Sequence, residues 1–100
     1  MKFSTAWSVE AEAYIKSLAP EPRRAVRLAL KALAEGKSSL DARVLEGRLQ
    51  GYSRLRVGTH RVIYTITAEK EGPCLNLLFA GPRSTMYQAF EIILAEKLGG

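Results

Sequence analysis

The sequence contains few of the side chains from which metal centres and disulfide bonds are built. Its 100 residues include one cysteine, Cys74, and one histidine, His60. A single cysteine cannot form an internal disulfide bond, and one cysteine with one histidine falls short of the ligand set that zinc requires. The carboxylates are not grouped at ligand spacing for magnesium. We therefore expect no cofactor, and the lone thiol is typical of a reducing cytoplasm.

Long apolar runs and nucleotide-binding motifs are also missing. No stretch reaches the roughly 20 apolar residues of a membrane span, and residues 1–5 lack the apolar run of a signal peptide. There is no P-loop, no dinucleotide fingerprint and no serine-nucleophile motif. The length fits one domain covering residues 1–100. We expect this domain to be cytoplasmic and to make no contact with a membrane.

Acidic residues are absent from residues 47–64, and this absence leaves a concentrated positive charge. The segment supplies four of the chain's five net positive charges through four arginines, Arg48, Arg54, Arg56 and Arg61. Such a concentration of cations indicates an acidic partner, and nucleic acid, an acidic protein and an anionic surface are the three candidates.

The same segment predicts a β-hairpin with a defined register. Residues 52–57 alternate polar and apolar side chains, and residues 60–66 are rich in β-branched residues and tyrosine. Gly58-Thr59 between them suits a two-residue type II′ turn. This turn places Arg56 opposite Arg61. It also directs four apolar side chains to the core, namely Leu55, Val57, Val62 and Tyr64.

The predicted register gathers Arg54, Arg56 and Arg61 on the outer face of the hairpin. Like charges that face each other across strands are destabilising, whereas guanidinium groups match the geometry of phosphate. A polyanion lying across this face is therefore the functional interpretation, and a solvated sheet face is the alternative. His60 falls on the opposite face, which argues against an acid–base role for the only histidine.

The remaining segments predict an α+β domain. We expect an N-terminal strand at residues 2–6, a helical hairpin at residues 8–36, an apolar central strand at residues 74–80 and a last helix from Ser84 to about residue 98. Ser8 is the predicted cap of the first helix, and Pro20 and Pro22 end that helix and start the second. A turn is predicted at residues 67–73, and Gly81-Pro82 is predicted to end the central strand. The two strands of the predicted β-hairpin join the N-terminal strand and the central strand in a mainly antiparallel four-stranded sheet, on which the helical hairpin packs. Residues 42–51 are predicted to connect the elements, with bends at Gly47 and Gly51. The last helix is more apolar than one buried face requires, so it either packs deeply or meets a partner.

The second predicted helix carries a basic stripe. Arg23, Arg27 and Lys31 follow one another at steps of four residues, with Arg24 beside them. The stripe is either the solvated side of the helix or an accessory contact with nucleic acid or a partner.

Several motifs resemble a known family. They are Leu45-Glu46-Gly47, the run from Gly51 to Gly58, Arg61-Val62-Ile63-Tyr64, and Ala80-Gly81-Pro82-Arg83 followed by Tyr87. These residues resemble the RelE/ParE superfamily of bacterial type II toxin–antitoxin toxins, and the order of elements agrees over nearly the whole chain. The resemblance implies a RelE-like fold and a toxin that a co-expressed antitoxin neutralises.

The resemblance implies two activities, one for each branch of the superfamily. RelE-type toxins cleave mRNA in the ribosomal A site without a metal, whereas ParE-type toxins inhibit DNA gyrase. The RelE branch is the main prediction, a ParE-like gyrase inhibitor is the alternative, and a degenerate toxin that only binds its partner is a third possibility. The implied partners are an antitoxin with an acidic segment, the ribosome and mRNA.

The resemblance also assigns site residues. The catalytic candidates are Arg54, Arg56, Arg61, Arg83 and Tyr87. The charge pattern and the strand register, rather than the resemblance, supply the RNA-binding candidates, which are Arg23, Arg24, Arg27, Lys31, Arg48 and Tyr52. Tyr52 shares the predicted face of Arg54, where it either stacks on a base or packs within the hairpin. Active RelE-like toxins often have lysine where this chain has Arg54 and Arg56, and arginine does not release its proton. Tyr87 is therefore the candidate for a general base or for stacking on a base, with a core aromatic as the alternative.

Overall fold

A computed structural model describes residues 3–37, 40–83 and 86–99 of the chain, apart from some side chains of the last helix. Its five strands are β1 (Ser4–Trp7), β2 (Ala42–Val44), β3 (Ser53–Val57), β4 (His60–Glu69) and β5 (Gly72–Pro82). Its helices are α1 (Val9–Ser17), α2 (Pro20–Ala34) and α3 (Met86–Gly99), with a 3₁₀ turn at Gly47–Leu49. The strands form one sheet in the order β1-β5-β4-β3-β2. Strand β1 is parallel to β5 and the other pairs are antiparallel, which confirms the predicted α+β class.

Helix α1 begins at a serine that also ties it to the sheet. The Ser8 hydroxyl oxygen accepts a hydrogen bond from the Ala11 backbone N–H at 3.0 Å and donates to the Leu78 carbonyl at 2.6 Å. Ala11 and Ile15, one turn apart, are fully buried against the sheet. The cap predicted from the sequence therefore also fixes where the helix crosses β5.

Helix α2 completes the layer on this side of the sheet. Pro20 stands in its first turn, where a missing N–H costs nothing, and Gly36 follows its end with a φ of 79°. The apolar residues of α2 at helical spacing meet the inward side chains of the hairpin in one core cluster. The buried members of that cluster from these elements are Val26, Leu30, Leu33, Leu55, Val62 and Tyr64.

The β3–β4 hairpin has the predicted register. Val57 pairs with His60, Arg56 with Arg61 and Leu55 with Val62. Gly58 has a φ of 60° and Thr59 does not have a positive φ, as a type II′ turn requires. The alternation of side chains along these strands therefore follows the sequence prediction.

The sheet has five strands rather than the four that the sequence predicts. The extra strand, β2, lies within the segment expected to be a connection, and Arg43 at its centre pairs with Arg54 of β3. Three residues are too few to show an alternating pattern, so only pairing with β3 makes them a strand. The predicted bends at Gly47 and Gly51 are present, with φ values of 66° and 98°.

The β4–β5 hairpin is longer than predicted. Residues 67–73 were expected to form the turn, but pairing continues to Glu69 and Gly72. Residues 67–69 are exposed and carry no apolar pattern, which is why the sequence gives no signal of a strand there. At the other end, Gly81 and Pro82 extend β5 rather than ending it.

Helix α3 covers part of the opposite face of the sheet. Its one fully packed described side chain is Phe90, which lies in a second cluster with Leu49 and Ile63. Tyr87 packs at the margin of this cluster, whereas Ile92 is 61% exposed. Part of the apolar surface of the helix therefore remains uncovered. The predicted cap, Ser84, lies outside the described residues, within which no helix is long and apolar enough to cross a membrane.

Candidate functional site

The outer side of the β3–β4 hairpin gathers positive charge next to α3. Arg54 and Arg56 alternate with the buried Leu55, and Arg61 pairs directly with Arg56. On β5, Arg61 pairs with Gly81. We call the surface formed by Arg54, Arg56, Arg61 and Arg83 the arginine face.

One carboxylate contacts two of these arginines. Asp41 Oδ1 is 3.2 Å from Arg54 Nη1, and Asp41 Oδ2 is 3.5 Å from Arg56 Nε. The Arg54 side chain is 13% exposed, whereas those of Arg56 and Asp41 are about half exposed. One negative charge shared between two guanidinium groups leaves a net positive charge on this part of the face.

Arg61 differs from its neighbours because it is buried. Its exposed fraction is 5%, and its Nη1 donates to the carbonyls of Gly58 at 2.8 Å and His60 at 2.9 Å. No carboxylate forms an ion pair with it in the part of the chain that the structure describes. The guanidinium is therefore held by the turn that precedes it.

The pKa of Arg61 is lowered by burial and by the cations around it. Burial lowers this pKa most, and the positive charges of Arg56, Arg54 and Arg83 lower it further, while Tyr87 acts in the opposite direction. Arginine nevertheless stays protonated at accessible pH. The face thus holds a buried positive charge that no described carboxylate neutralises by an ion pair.

Arg83 and Tyr87 lie close enough to act on Arg61. The Arg83 backbone N–H donates to the Thr59 carbonyl at 2.9 Å, which ties the end of β5 to the β3–β4 turn. The charge of Arg83 and the phenol of Tyr87 both influence the pKa of Arg61. The five catalytic candidates are therefore neighbours in the fold, and their chemical roles stay predictions.

The basic stripe of α2 lies on the other side of the sheet. Its helix packs on the layer that contains Leu55 and Val62, whereas the arginine face points away from that layer. The Arg27 guanidinium lies 6.0 Å from the centre of the Trp7 ring, and Arg23 Nη1 donates to the Lys16 carbonyl at 3.4 Å. These cations, with the exposed Arg24 and Lys31, form a separate surface.

The other two RNA-binding candidates lie beside α3. Tyr52 is half-buried and meets Phe90 edge to face, with ring centres 5.2 Å apart. Arg48 is exposed and lines a shallow cavity of about 260 Å³ with Leu49 and Glu91. Tyr52 thus supports the position of the helix, and a contact of either residue with RNA stays a prediction.

His60 has a structural partner on the helical side of the sheet. Its Nδ1 lies 2.7 Å from the Tyr14 hydroxyl, and the two rings meet edge to face. The side chain points away from the arginine face, as the register predicts. The backbone carbonyl of His60, in contrast, takes part in holding Arg61.

Two residues of the site have no counterpart in the sequence prediction. Asp41 falls in a polar stretch that reads as a loop, and Arg43 belongs to the strand that the sequence does not reveal. A predicted β2 would have placed Arg43 beside Arg54 and Asp41 at the edge of the arginine face. Within the described residues, no group of three or more His, Cys, Asp and Glu side chains could hold a metal ion.

The fold is similar to solved structures of toxins, although no protein-family model and no curated protein matches the chain. The toxin–antitoxin complex RelBE2 from Mycobacterium tuberculosis contains a chain with a TM-score of 0.66 and 23% identity, covering 83% of this chain and 100% of that one. The YoeB/ParE toxin from Agrobacterium tumefaciens gives a TM-score of 0.64 at 16% identity, covering 80% of this chain and 98% of that chain.

The archaeal RelE–RelB complex from Pyrococcus horikoshii gives a TM-score of 0.59 at 23% identity, covering 84% of this chain and 98% of that chain. The likeness extends over almost the full length of each solved chain, so it concerns the whole fold and not one hairpin. The fold resemblance predicted from the sequence motifs is thereby confirmed: the chain has the fold of the RelE/ParE toxins.

Proposed function

We propose that this protein is the toxin of a type II toxin–antitoxin pair and inhibits translation as a metal-independent, ribosome-dependent mRNA endonuclease. The observation that carries the proposal is the arginine face, where Arg54, Arg56, Arg61 and Arg83 meet Tyr87 on a RelE-type fold. Cations gathered around a buried guanidinium destabilise the fold, and a bound phosphate group would offset this repulsion.

The arginines fit the stabilisation of charge during RNA cleavage. When the 2′-oxygen attacks the adjacent phosphorus, negative charge develops on the phosphoryl oxygens. The bond to the 5′-oxygen then breaks, which leaves a 2′,3′-cyclic phosphate, and the departing 5′-oxygen takes a proton from water. A preorganised donor aimed at this charge typically contributes about 10²–10³ in rate. Arg61 is preorganised because two carbonyls fix its Nη1, and the more exposed Arg56 can reach a substrate. Dependence on the 2′-hydroxyl would also distinguish RNA from DNA.

Tyr87 is the residue that we propose for proton exchange. The arginines keep their protons, so they bind charge but do not act as bases. Tyr87 lies close enough to Arg61 to influence the pKa of that guanidinium, so its phenol stands beside the cations that would hold the phosphate. In this role Tyr87 would accept the proton of the 2′-hydroxyl while the arginines hold the phosphate.

An antitoxin is the proposed protein partner. Two of the similar solved structures are complexes of a toxin with its antitoxin. The net positive charge of the arginine face can bind acidic residues of such a protein, and the exposed Ile92 of α3 can bind its apolar residues. We expect an acidic antitoxin segment to cover the face or to displace α3.

Expression of variants in growing cells tests the nuclease. We expect Arg56→Ala and Arg83→Ala each to reduce cleavage of translated mRNA by about 10²–10³-fold, because each removes a donor to the phosphate. Lys70→Ala is the matched control, since it removes one positive charge at the exposed β4–β5 turn at the other end of the sheet. Mapping of mRNA 5′ ends during translation provides the readout.

Three outcomes separate the candidate functions. New mRNA ends that depend on Arg56 and Arg83 support the nuclease. Growth arrest with intact mRNA excludes it, and gyrase-linked DNA breaks would then identify a ParE-like inhibitor. Normal growth, together with tight binding of the antitoxin, would identify a degenerate toxin that serves only as a binding module.

A further inference from the structure

Asp41 places a carboxylate where the arginine face would meet a phosphate. Each of its two oxygens contacts a different guanidinium, Oδ1 that of Arg54 at 3.2 Å and Oδ2 that of Arg56 at 3.5 Å. The two unesterified oxygens of a phosphodiester offer acceptors to guanidinium groups in the same manner. The carboxylate therefore uses the donors that an RNA backbone would need.

The main chain fixes Asp41 at this position. Its carbonyl oxygen accepts a hydrogen bond from the Arg56 backbone N–H at 2.9 Å and from Arg54 Nη1 at 3.3 Å. These bonds continue the pairing of β2 with β3 by one residue. An aspartate side chain is short, so a backbone held in this way keeps the carboxylate beside the two arginines.

The same contact is open to exchange. The Asp41 side chain is 44% exposed and that of Arg56 is 51% exposed, so water and a ligand both reach the pair. Ion pairs of this exposure stabilise a protein little. A rotation of the Asp41 side chain towards solvent would free both guanidinium groups from the carboxylate without moving a strand, and Arg54 Nη1 would keep its bond to the Asp41 carbonyl.

We infer that Asp41 is a resident competitor of the RNA backbone: its carboxylate occupies Arg54 and Arg56 in the free protein and must leave before a phosphodiester binds there. The inference deepens the proposed function, on which it rests for the identity of the polyanion. Its consequence is weak binding of free RNA, so that productive binding depends on further contacts that hold the RNA over the face.

A substitution that removes the charge of Asp41 should strengthen RNA binding. In Asp41→Asn the side-chain oxygen can still accept from Arg54, but the electrostatic competition with phosphate is gone. We expect the dissociation constant for RNA to fall by about 3- to 10-fold at low salt, as the loss of one exposed and one partly buried ion pair allows. Asp41→Ser provides a second variant with a small polar side chain if the amide disturbs folding.

The test uses the full-length protein and a fluorescein-labelled single-stranded RNA whose 2′-positions are methylated, so that it cannot be cleaved. Fluorescence anisotropy measures its affinity for the wild type, Asp41→Asn and Asp41→Ser, with Glu71→Gln as the control. Glu71 is exposed at the β4–β5 turn, so this control makes the same change in net charge far from the site. The gain should vanish in Asp41→Asn combined with Arg54→Gln and Arg56→Gln, when it is measured against the double arginine variant alone.

Several results would overturn the inference. It fails if neither Asp41 variant binds RNA more tightly than Glu71→Gln, or if the gain persists without both Arg54 and Arg56. It also fails if a polyglutamate peptide gains affinity and RNA does not, because the surface would then serve an acidic protein. The readout involves no cleavage, so a protein that proves not to cut mRNA can still show the gain, and an active nuclease can lack it.

Discussion

Arg61 shows how a residue can be costly to the fold and useful to the site. Its guanidinium is 5% exposed, and three other arginines lower its pKa after burial has done so. A lowered pKa means that folding disfavours the charged form relative to the unfolded chain. Its two bonds to turn carbonyls offset this only in part, because the pKa stays lowered although a hydrogen bond from a charged group contributes about 1.5–3 kcal/mol.

Replacement of this charge by an apolar side chain should therefore separate stability from function. We expect Arg61→Met to change the free energy of unfolding by less than about 1 kcal/mol, because the lost hydrogen bonds and the relieved repulsion oppose each other. Cleavage of translated mRNA should fall by about 10²-fold or more. Urea unfolding and the mapping of mRNA ends measure the two effects.

Ile63→Ala is the reference for an ordinary buried position on the same strand, where loss of side-chain volume costs about 2–5 kcal/mol. If Arg61→Met cost as much as Ile63→Ala, Arg61 would be a structural residue and not one kept for the site.

Single residues of the arginine face were predictable where strand alternation alone places them. The turn at Gly58 predicts a common face for Arg54, Arg56 and Arg61, because a two-residue loop fixes which side chains share a face. The contact of Asp41 with Arg54 was not predictable, because it depends on β2, a strand of three residues that is defined only by its pairing with β3. The carboxylate that modifies the site was thus hidden from local sequence patterns.

At the level of elements, the β3–β4 turn organises the arginine face. Three consecutive carbonyls of this turn accept hydrogen bonds, those of Gly58 and His60 from Arg61 Nη1 and that of Thr59 from the Arg83 backbone. The hydroxyl of Tyr14 in α1 meets the ring of His60 on the opposite side. A helix outside the site therefore supports the turn that positions two of its cations.

The contact between Tyr14 and His60 should be measurable as a coupling energy. We expect Tyr14→Phe and His60→Ala each to destabilise the protein, and the double variant to lose about 0.5–1.5 kcal/mol less than the sum of the two. The reason is that either substitution alone already removes the shared hydrogen bond. Urea unfolding of the four proteins closes the cycle.

Tyr64→Phe combined with His60→Ala is the control cycle, because the buried Tyr64 hydroxyl interacts with Ser53 rather than with His60. Effects of Tyr14→Phe and His60→Ala that add within about 0.3 kcal/mol would show that the 2.7 Å contact contributes no coupling and that α1 does not hold the turn.

The elements that the sequence predicted well are those with a complete local signal. The helical hairpin follows from apolar spacing, from Ser8 as a cap and from Pro20 in a first turn. The ends of strands were predicted poorly from the sequence. Residues 67–69, for example, pair with β5 although their side chains face water. Such residues join a strand through the hydrogen bonds of their backbone, and a pattern of side chains does not report these bonds.

Across the whole molecule, positive charge occupies both sides of one sheet. The arginine face lies on the side of α3, and the stripe of α2 lies on the side of the helical hairpin. A ligand on the arginine face would reach Arg56 and Arg83 but not α2, unless it passed around the edge of the sheet. The net charge of +5 therefore does not describe one continuous binding surface.

The salt dependence of RNA binding should reveal which cations take part. For single-stranded RNA, each phosphate contact contributes about 0.7 to the slope of the logarithm of affinity against the logarithm of salt concentration. We expect Arg56→Gln to lower the slope by about this amount, because a phosphate neutralised by the exposed Arg56 releases the cation condensed on the RNA. Lys31→Gln on α2 should leave the slope unchanged, because its charge lies across the sheet. Anisotropy titrations with uncleavable RNA over a range of salt concentrations provide both slopes. Equal losses for the two variants would mean that the RNA wraps around the sheet edge and that the arginine face is only part of the binding surface.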